Sequence, residues 1–271
     1  MGLSGKVVVV TGSTRGIGRA IAEACVAEGA KVCVSSRTPE AVNETLAALS
    51  AAGAEVDGMA CDVAEAGQVQ ALRDAALARF GRIDAWVNNA GISEGYRPLD
   101  ELGYDELRDV VSINLLGHLY GARAILPYFR EHGGVLMNMA GRGYRGEATP
   151  HTAAYTATKA AIASLTRSLA AESEDSKATV VGFVPGMVAT DFYVDIKTSP
   201  RLAATADNWR YALDAFGVSP EEAGRGAARV LGMEPHPKNG HIYSMLGGMR
   251  TAKGVAKIVY YRASGKMASG G

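Results

Sequence analysis

Val7-Val8-Val9-Val10 runs straight into Thr11-Gly12-Ser13-Thr14-Arg15-Gly16-Ile17-Gly18. A brief, uninterrupted β-branched run is what a strand covered on both faces looks like. Three glycines then make a tight turn, and residues 16–28, with Ala20, Ile21 and Ala22, carry a helical pattern. A glycine turn between strand and helix lets the backbone approach a pyrophosphate, which rests on the free N–H groups of the helix N-terminus. The spacing G-x-x-x-G-x-G departs from G-x-G-x-x-G, and a lone triplet is weak; placed between the first strand and the first helix it is much stronger.

Outward from this turn, short apolar runs at 31–35, 56–60, 84–87, 134–139, 178–183 and 241–245 follow the strand at 6–10. Helical patterns at 39–51, 65–79, 104–131, 153–173 and 219–231 alternate with them, and Ser219-Pro220 before Glu221-Glu222 supplies N-cap and N1 chemistry. Such alternation predicts βαβ units: an α/β fold, one doubly wound domain over residues 1–271 with a seven-stranded, mainly parallel sheet and helices on both faces. Two segments fall outside it. Residues 187–216 hold five of the chain's 18 aromatic residues, Phe192, Tyr193, Trp209, Tyr211 and Phe216. They read as a flap over the substrate crevice, with a satellite core under a long loop as the competing reading. Residues 249–271 carry Arg250, Lys253, Lys257, Arg262 and Lys266 with no acidic residue and read as a solvated basic tail, with a surface or partner contact as the competing reading.

Composition narrows the functional classes. Lys and Arg total 28, as do Asp and Glu, so no net charge steers the molecule toward nucleic acid or an anionic membrane. No metal-ligand spacing is present, and Cys25, Cys33 and Cys61 sit apart in apolar surroundings, as reduced, buried thiols do. Lys6 stands where a myristoylation signal wants Ser or Thr, and neither a signal peptide nor a spanning helix is legible. The expectation is a cytoplasmic protein acting on a small molecule.

At the end of the second strand, where NAD sites usually place a carboxylate for the ribose 2′-hydroxyl, this chain has Ser35-Ser36-Arg37. With Arg15 in the glycine loop, Ser36 and Arg37 suit a 2′-phosphate, because guanidinium forks pair bidentately with phosphate. NADPH is therefore the expected cofactor; the competing reading leaves Arg37 as a solvated loop residue. Asp62, followed by Val63 after the third strand, is placed either against the adenine amino group or as a helix N-cap.

Asn88-Asn89-Ala90-Gly91 ends the fourth strand, Asn114 lies in the next helix, Tyr155 and Lys159 share the helix after that, and Pro185-Gly186 with Thr190 follows the sixth strand. Together with the glycine loop, over roughly 5–245, this set resembles the short-chain dehydrogenase/reductase family. The resemblance implies that Tyr155 is the acid/base, that Lys159 binds the nicotinamide ribose and lowers the tyrosine pKa, and that Asn114 holds a water in a proton relay. It also implies cofactor contacts at Gly12, Ser13, Thr14, Arg15, Gly16, Ile17, Gly18, Ser36, Arg37, Asp62, Val63, Asn89, Ala90, Gly91, Pro185, Gly186, Val188 and Thr190. Family members commonly pair the helices corresponding to 104–131 and 153–173, so a homodimer or homotetramer is implied. The residues agree independently: Tyr155 and Lys159, four apart, share one helix face, and a nearby ammonium favours phenolate.

One departure lies at the reacting centre. The family normally carries a serine on the loop before the tyrosine, and Gly141 and Arg142 occupy those positions; residues 138–151 contain no serine. A lost oxyanion donor costs about 10²–10³ in rate. Three readings stay open: another donor such as Thr149, Thr152, Tyr144 or a glycine N–H serves carbonyl reduction; the substrate is an imine, iminium or hemiaminal; or the chain binds NADPH as a sensor or scaffold. On the second reading, a serine restored at 141 or 142 should help ketones more than imines. The segment Asn-Met-x-Gly…Thr-Pro…Tyr-x-x-x-Lys is also similar to the chlorophyll b reductase-like branch. Gly141, Arg142, Glu94, Phe192, Tyr193 and Trp209 are the candidate substrate contacts, Glu94 as a rim carboxylate for a cationic substrate or simply a solvated one.

Overall fold

The computed structural model describes residues 2–190, 196–202, 208–234 and 236–267. Its strands are β1 (Val7–Val10), β2 (Lys31–Ser36), β3 (Val56–Ala60), β4 (Ala85–Asn88), β5 (Gly134–Met139), β6 (Ala178–Val184), β7 (Met187–Val188), β8 (Gly217–Val218) and β9 (Ile242–Ser244). Seven of them form one sheet in the order β3-β2-β1-β4-β5-β6-β9, every pair parallel, while β7 and β8 make a separate small pair. Because side chains alternate across a strand, the four valines of β1 serve two cores. Val8 and Val10 pack with Ile21 and Cys25 of α1 (Gly16–Ala27), Val42 of α2 (Pro39–Ala51) and Ala227 of the helix Pro220–Leu231. Val7 and Val9 pack with Leu72 of α3 (Ala66–Phe80) and with Ile125 and Phe129 of the helix Gly117–His132. The chain winds outward from β1 to β3, then returns to place β4 on the other side of β1. That reversal opens a crevice at the carboxyl ends of β1 and β4, the ligand position of doubly wound sheets.

The expected helix over 104–131 is interrupted. α4 (Tyr104–Val111) passes through a π turn at Ser112–Leu116 into α5 (Gly117–His132), and Asn114 stands inside that turn. No glycine or proline lies within 112–116 except at its boundary with Gly117, so periodicity alone reads the stretch as one helix. After α6 (Ala153–Ala171) come α7 (Asn208–Phe216), α8 (Pro220–Leu231) and α9 (Gly248–Ala263). Ser219 caps α8 as its sequence predicts, its hydroxyl accepting from Glu222 N–H at 3.1 Å.

Within 249–271 the structure adds a helix, α9, which packs on α7 while the described basic side chains Lys253, Lys257, Arg262 and Lys266 stay exposed. Lys257 donates to the Asp214 carboxylate at 3.1 Å, Tyr261 hydrogen-bonds the same carboxylate, and the Tyr211 and Tyr261 rings lie 4.9 Å apart. Cys25, Cys33 and Cys61 are free and buried. Burial pushes their thiols up, to about 12 at Cys33 and about 11 at Cys61. Among the described residues no helix is long and apolar enough to cross a membrane, and no cluster of metal-ligating side chains occurs.

Candidate active site

The glycine loop is fixed from beneath by the ends of β2 and β4. Thr11 Oγ1 donates to Val87 O at 3.2 Å and accepts from the N–H groups of Asn89 and Ala90 at 3.0 and 3.2 Å. Asn89 Nδ2 donates to Thr11 O and Gly12 O at 2.9 and 3.0 Å. Ser13 donates to Val10 O at 2.7 Å and accepts from Ser35 N–H at 2.9 Å. The side chains of Asn89 and Ser13 are therefore spent on shaping the loop. Gly12 has φ +62, and a Cβ on Gly18 would fall 2.2 Å from Gly12 O, so the turn admits no side chain at either position. Arg15 is the N-cap of α1, Ile17 borders the core on α1, and Thr190 lies 3.6 Å from where a Cβ on Gly16 would be. At the end of β2, Ser36 is half-buried, Arg37 after it is exposed, and no carboxylate follows until Glu40.

Other predicted cofactor positions take several places around this crevice. Thr14 is half-buried in the loop, Pro185 and Gly186 join β6 to β7, and Val188 pairs with Val218. Val63 is buried, and Asp62 Oδ1 accepts from Ala64 N–H at 3.0 Å. Asp62 closes a local turn, whereas the N-cap of α3 is Glu65, which corrects the capping alternative.

The carboxyl ends of β4 and β5 gather Asn114, Tyr155 and Lys159. Asn114 is fully buried, its Oδ1 accepting from Ile92 N–H at 2.8 Å and its Nδ2 donating to Ile92 O at 2.9 Å and Thr158 Oγ1 at 3.2 Å. This clamp ties the π turn to the segment leaving Gly91 and to α6. Lys159 is buried and donates to Met139 O at 2.8 Å, its ammonium 5.4 Å from the centre of the Tyr155 ring. Burial pushes the lysine down to about 8. His118, one turn after Asn114 on α5, is fully buried, and burial followed by the Lys159 charge holds its pKa well below the ordinary range. The sequence signal for His118 was its four-residue spacing from Asn114. Beneath, Trp86 donates to Asn88, Asn88 to Asn138 and Asn138 to Thr166 at 2.8, 2.9 and 3.1 Å, so every buried amide in this layer has a partner.

At Gly141, one of the positions expected to carry the family's serine, a Cβ would lie 2.6 Å from the Tyr155 hydroxyl. The phenol occupies the space that a side chain at 141 would need. Arg142 is exposed, Thr149 is buried with an unpartnered Oγ1, and Thr152 donates to Thr149 O at 3.1 Å. Glu94 is not a rim carboxylate. It is 3% exposed, and both its oxygens accept from Tyr155 N–H, at 3.0 and 3.1 Å. Loop carboxylates default to solvent in a sequence reading, and the amide that captures this one lies 61 residues later. Trp209 is half-buried on α7; Phe192 and Tyr193 lie outside the described residues.

Residues 6–200 match the family pattern described as short chain dehydrogenase. The chain belongs to this family. It is 38% identical over 203 residues, covering 68% of this chain, to the probable chlorophyll(ide) b reductase NYC1 of Oryza sativa subsp. japonica. The chain spans 40% of that plant relative's length. It is 34% identical over 250 residues to the 3beta-hydroxysteroid dehydrogenase 1 of Eggerthella lenta, covering 91% of this chain and 94% of the relative. Its fold is similar to the 3-ketoacyl-(acyl-carrier-protein) reductase of Brucella melitensis, solved in complex with NADH, at a TM-score of 0.79 and 25% identity over 91% of this chain and 99% of that one. The chain thus shares both the family's sequence pattern and the fold of its solved members, on a parallel doubly wound sheet.

Proposed function

We propose that the chain is an NADP(H)-dependent reductase that transfers hydride to the carbonyl of a small or polycyclic substrate. In this reading its 271 residues form one catalytic domain working in the cytoplasm as a homo-oligomer, with no nucleic-acid partner. The observation that carries it is the gathering of Tyr155, Lys159 and Asn114 beside a glycine cradle in which a Cβ at Gly18 would strike Gly12 O at 2.2 Å. That cradle and the N-terminus of α1 fit a pyrophosphate. Ser36, Arg37 and Arg15, with no carboxylate at the end of β2, support a 2′-phosphate and hence NADPH. A polycyclic substrate is supported by the names of the relatives, a chlorophyll(ide) b reductase and a hydroxysteroid dehydrogenase.

When bound, the nicotinamide supplies the hydride. The protein's own part is the proton. The Tyr155 phenol delivers it to the substrate oxygen, and the neighbouring Lys159 ammonium stabilises the phenolate left behind, bringing a pKa of about 10 toward working pH. Asn114 holds the π turn against Ile92 and Thr158, which keeps the lysine's surroundings fixed. The second reading, reduction of C=N, is favoured by one observation, the absence of serine from 138–151. Iminium reduction removes positive charge and needs no oxyanion donor.

Calorimetry with NADPH and NADH, coupled to NADPH oxidation by wild type and Tyr155→Phe over matched ketones and cyclic imines, tests the reading. NADPH should bind at least about tenfold tighter. Tyr155→Phe should abolish turnover while leaving NADPH affinity almost unchanged. Equal cofactor affinities, or turnover surviving in the variant, sink the assignment, and a higher kcat/KM for the ketone decides between the two substrate classes.

A further inference from the structure

Glu94 places both carboxylate oxygens on a single backbone amide, that of Tyr155, at 3.0 and 3.1 Å, and is 3% exposed. Tyr155 stands in the first turn of α6, whose N-cap Thr152 makes no side-chain cap bond. First-turn N–H groups lack intrahelical partners, and the helix dipole favours an anion there. The loop bearing Glu94 is itself tied down. Arg97 donates through Nε and Nη2 to Glu94 O at 3.0 and 2.8 Å, and its guanidinium pairs with Glu106 of α4 at 2.8 Å. Arg97 N–H donates to His151 O at 2.9 Å, where His151 adopts φ 68 to turn the chain into α6. Among the described residues it is the one non-glycine with positive φ, a conformation that persists only where the surroundings enforce it. The Tyr96 and His151 rings meet at 74°, edge to face, with centroids 5.0 Å apart.

Charge is arranged around the tyrosine as well. The Lys159 ammonium lies 5.4 Å from its ring, and the Glu94 carboxylate meets its amide. Of the other charged groups on the packed elements, Arg97 pairs with Glu106, Glu147 accepts from the N–H groups of Gly143 and Arg145, burial and the Lys159 charge hold His118 well below its ordinary pKa, and Arg142 and Arg145 on the loop after β5 are exposed.

We propose that Glu94 is a positioning residue for Tyr155: its carboxylate fixes the tyrosine's backbone in the first turn of α6 and sets a negative charge that opposes ionisation of the phenol, against Lys159, which favours it. The inference rests on the reading of Tyr155 as the acid, and it deepens that reading. Reduction consumes the protonated phenol, whereas oxidation starts from phenolate, so a buried anion beside the tyrosine biases the site toward reduction.

The test needs no substrate. Tyrosine labelled with ¹³C at Cζ is titrated by NMR in the cofactor-free full chain, with Tyr155→Phe identifying the resonance, in wild type, Glu94→Gln and Glu94→Ala. Removing the charge should lower the Tyr155 midpoint by about one pH unit in both variants. Thermal stability should fall only in Glu94→Ala, because the glutamine carbonyl still accepts the amide. A Glu94→Gln midpoint within about 0.2 unit of wild type, or above it, overturns the proposal and leaves Glu94 a simple cap. If Glu94→Ala does not fold, Glu94→Gln decides alone. Turnover by Tyr155→Phe would instead overturn the catalytic reading, independently of this titration.

Discussion

In the candidate site, Gly141 and Lys159 show what position beside Tyr155 costs in space and stability. A Cβ at 141 would stand 2.6 Å from the Tyr155 hydroxyl and 3.5 Å from Lys159 Cγ. On the C=N reading a serine restored at 141 or 142 should help ketones more than imines; at 141, however, the added side chain must displace the phenol. Gly141→Ser should therefore cut kcat at least about tenfold for ketone and imine alike, the cost of misplacing the acid. A ketone rate that rises instead would show that the ring yields and that a hydroxyl was wanted. Lys159 carries a different cost. Burial lowers its pKa from 10.5 to about 8, so the unfolded chain binds more protons between those values. Stability therefore rises with pH from about 8 to about 10.5 and bears the full penalty below. That penalty is on the order of 3 kcal/mol for a fully buried ammonium. Lys159→Met, which keeps the stem, should raise the Tm of the cofactor-free protein at pH 7 while removing activity, and the gain should vanish near pH 10.5. A gain that does not change with pH would assign it to packing.

Among elements, α9 carries the least expected contact. Phe216, the last residue of α7, fills the place of a side chain at Gly254, where a Cβ would fall 2.2 Å from the ring and 2.9 Å from Ala215 O. Because one of those neighbours is backbone, Gly254→Val should lift α9 from α7, and limited proteolysis should then cut the C-terminal segment well before the sheet. Cleavage at the wild-type rate would mean that the Asp214 contacts suffice. Element boundaries were legible in the sequence wherever one residue type served both faces, as in β1, or where a cap was explicit, as at Ser219. The π turn at Ser112–Leu116 was not, since Ser-Ile-Asn-Leu-Leu has ordinary helical composition and the bulge is set by Asn114 reaching Ile92. Nor was α9, whose partner Asp214 lies 43 residues earlier. The same holds in the candidate site: motif order grouped Tyr155, Lys159 and Asn114, which the fold brings near one another, but the burial of Glu94 follows from an amide that only the fold brings near.

At the scale of the whole molecule, zero net charge leaves association to surface shape and apolar area. Tyr104, Val111 and Leu119 are 91%, 42% and 38% exposed on α4 and α5, so apolar side chains flank the π turn on both sides in the chain. An isologous contact between two copies would cover this surface, since the same patch then serves both partners. It would also brace Asn114, which lies between Val111 and Leu119 on the same helical run. Val111→Arg should then halve the mass measured by light scattering at micromolar concentration, because the new charges would meet across a two-fold axis. If the contact braces the π turn as well, kcat should fall in the monomeric variant while affinity for the proposed cofactor NADPH stays near the wild-type value, because the glycine loop follows β1 and lies outside these helices. An unchanged mass would place the interface elsewhere, and a variant whose cofactor affinity collapses along with kcat would show that the helices support the whole crevice rather than the acid alone.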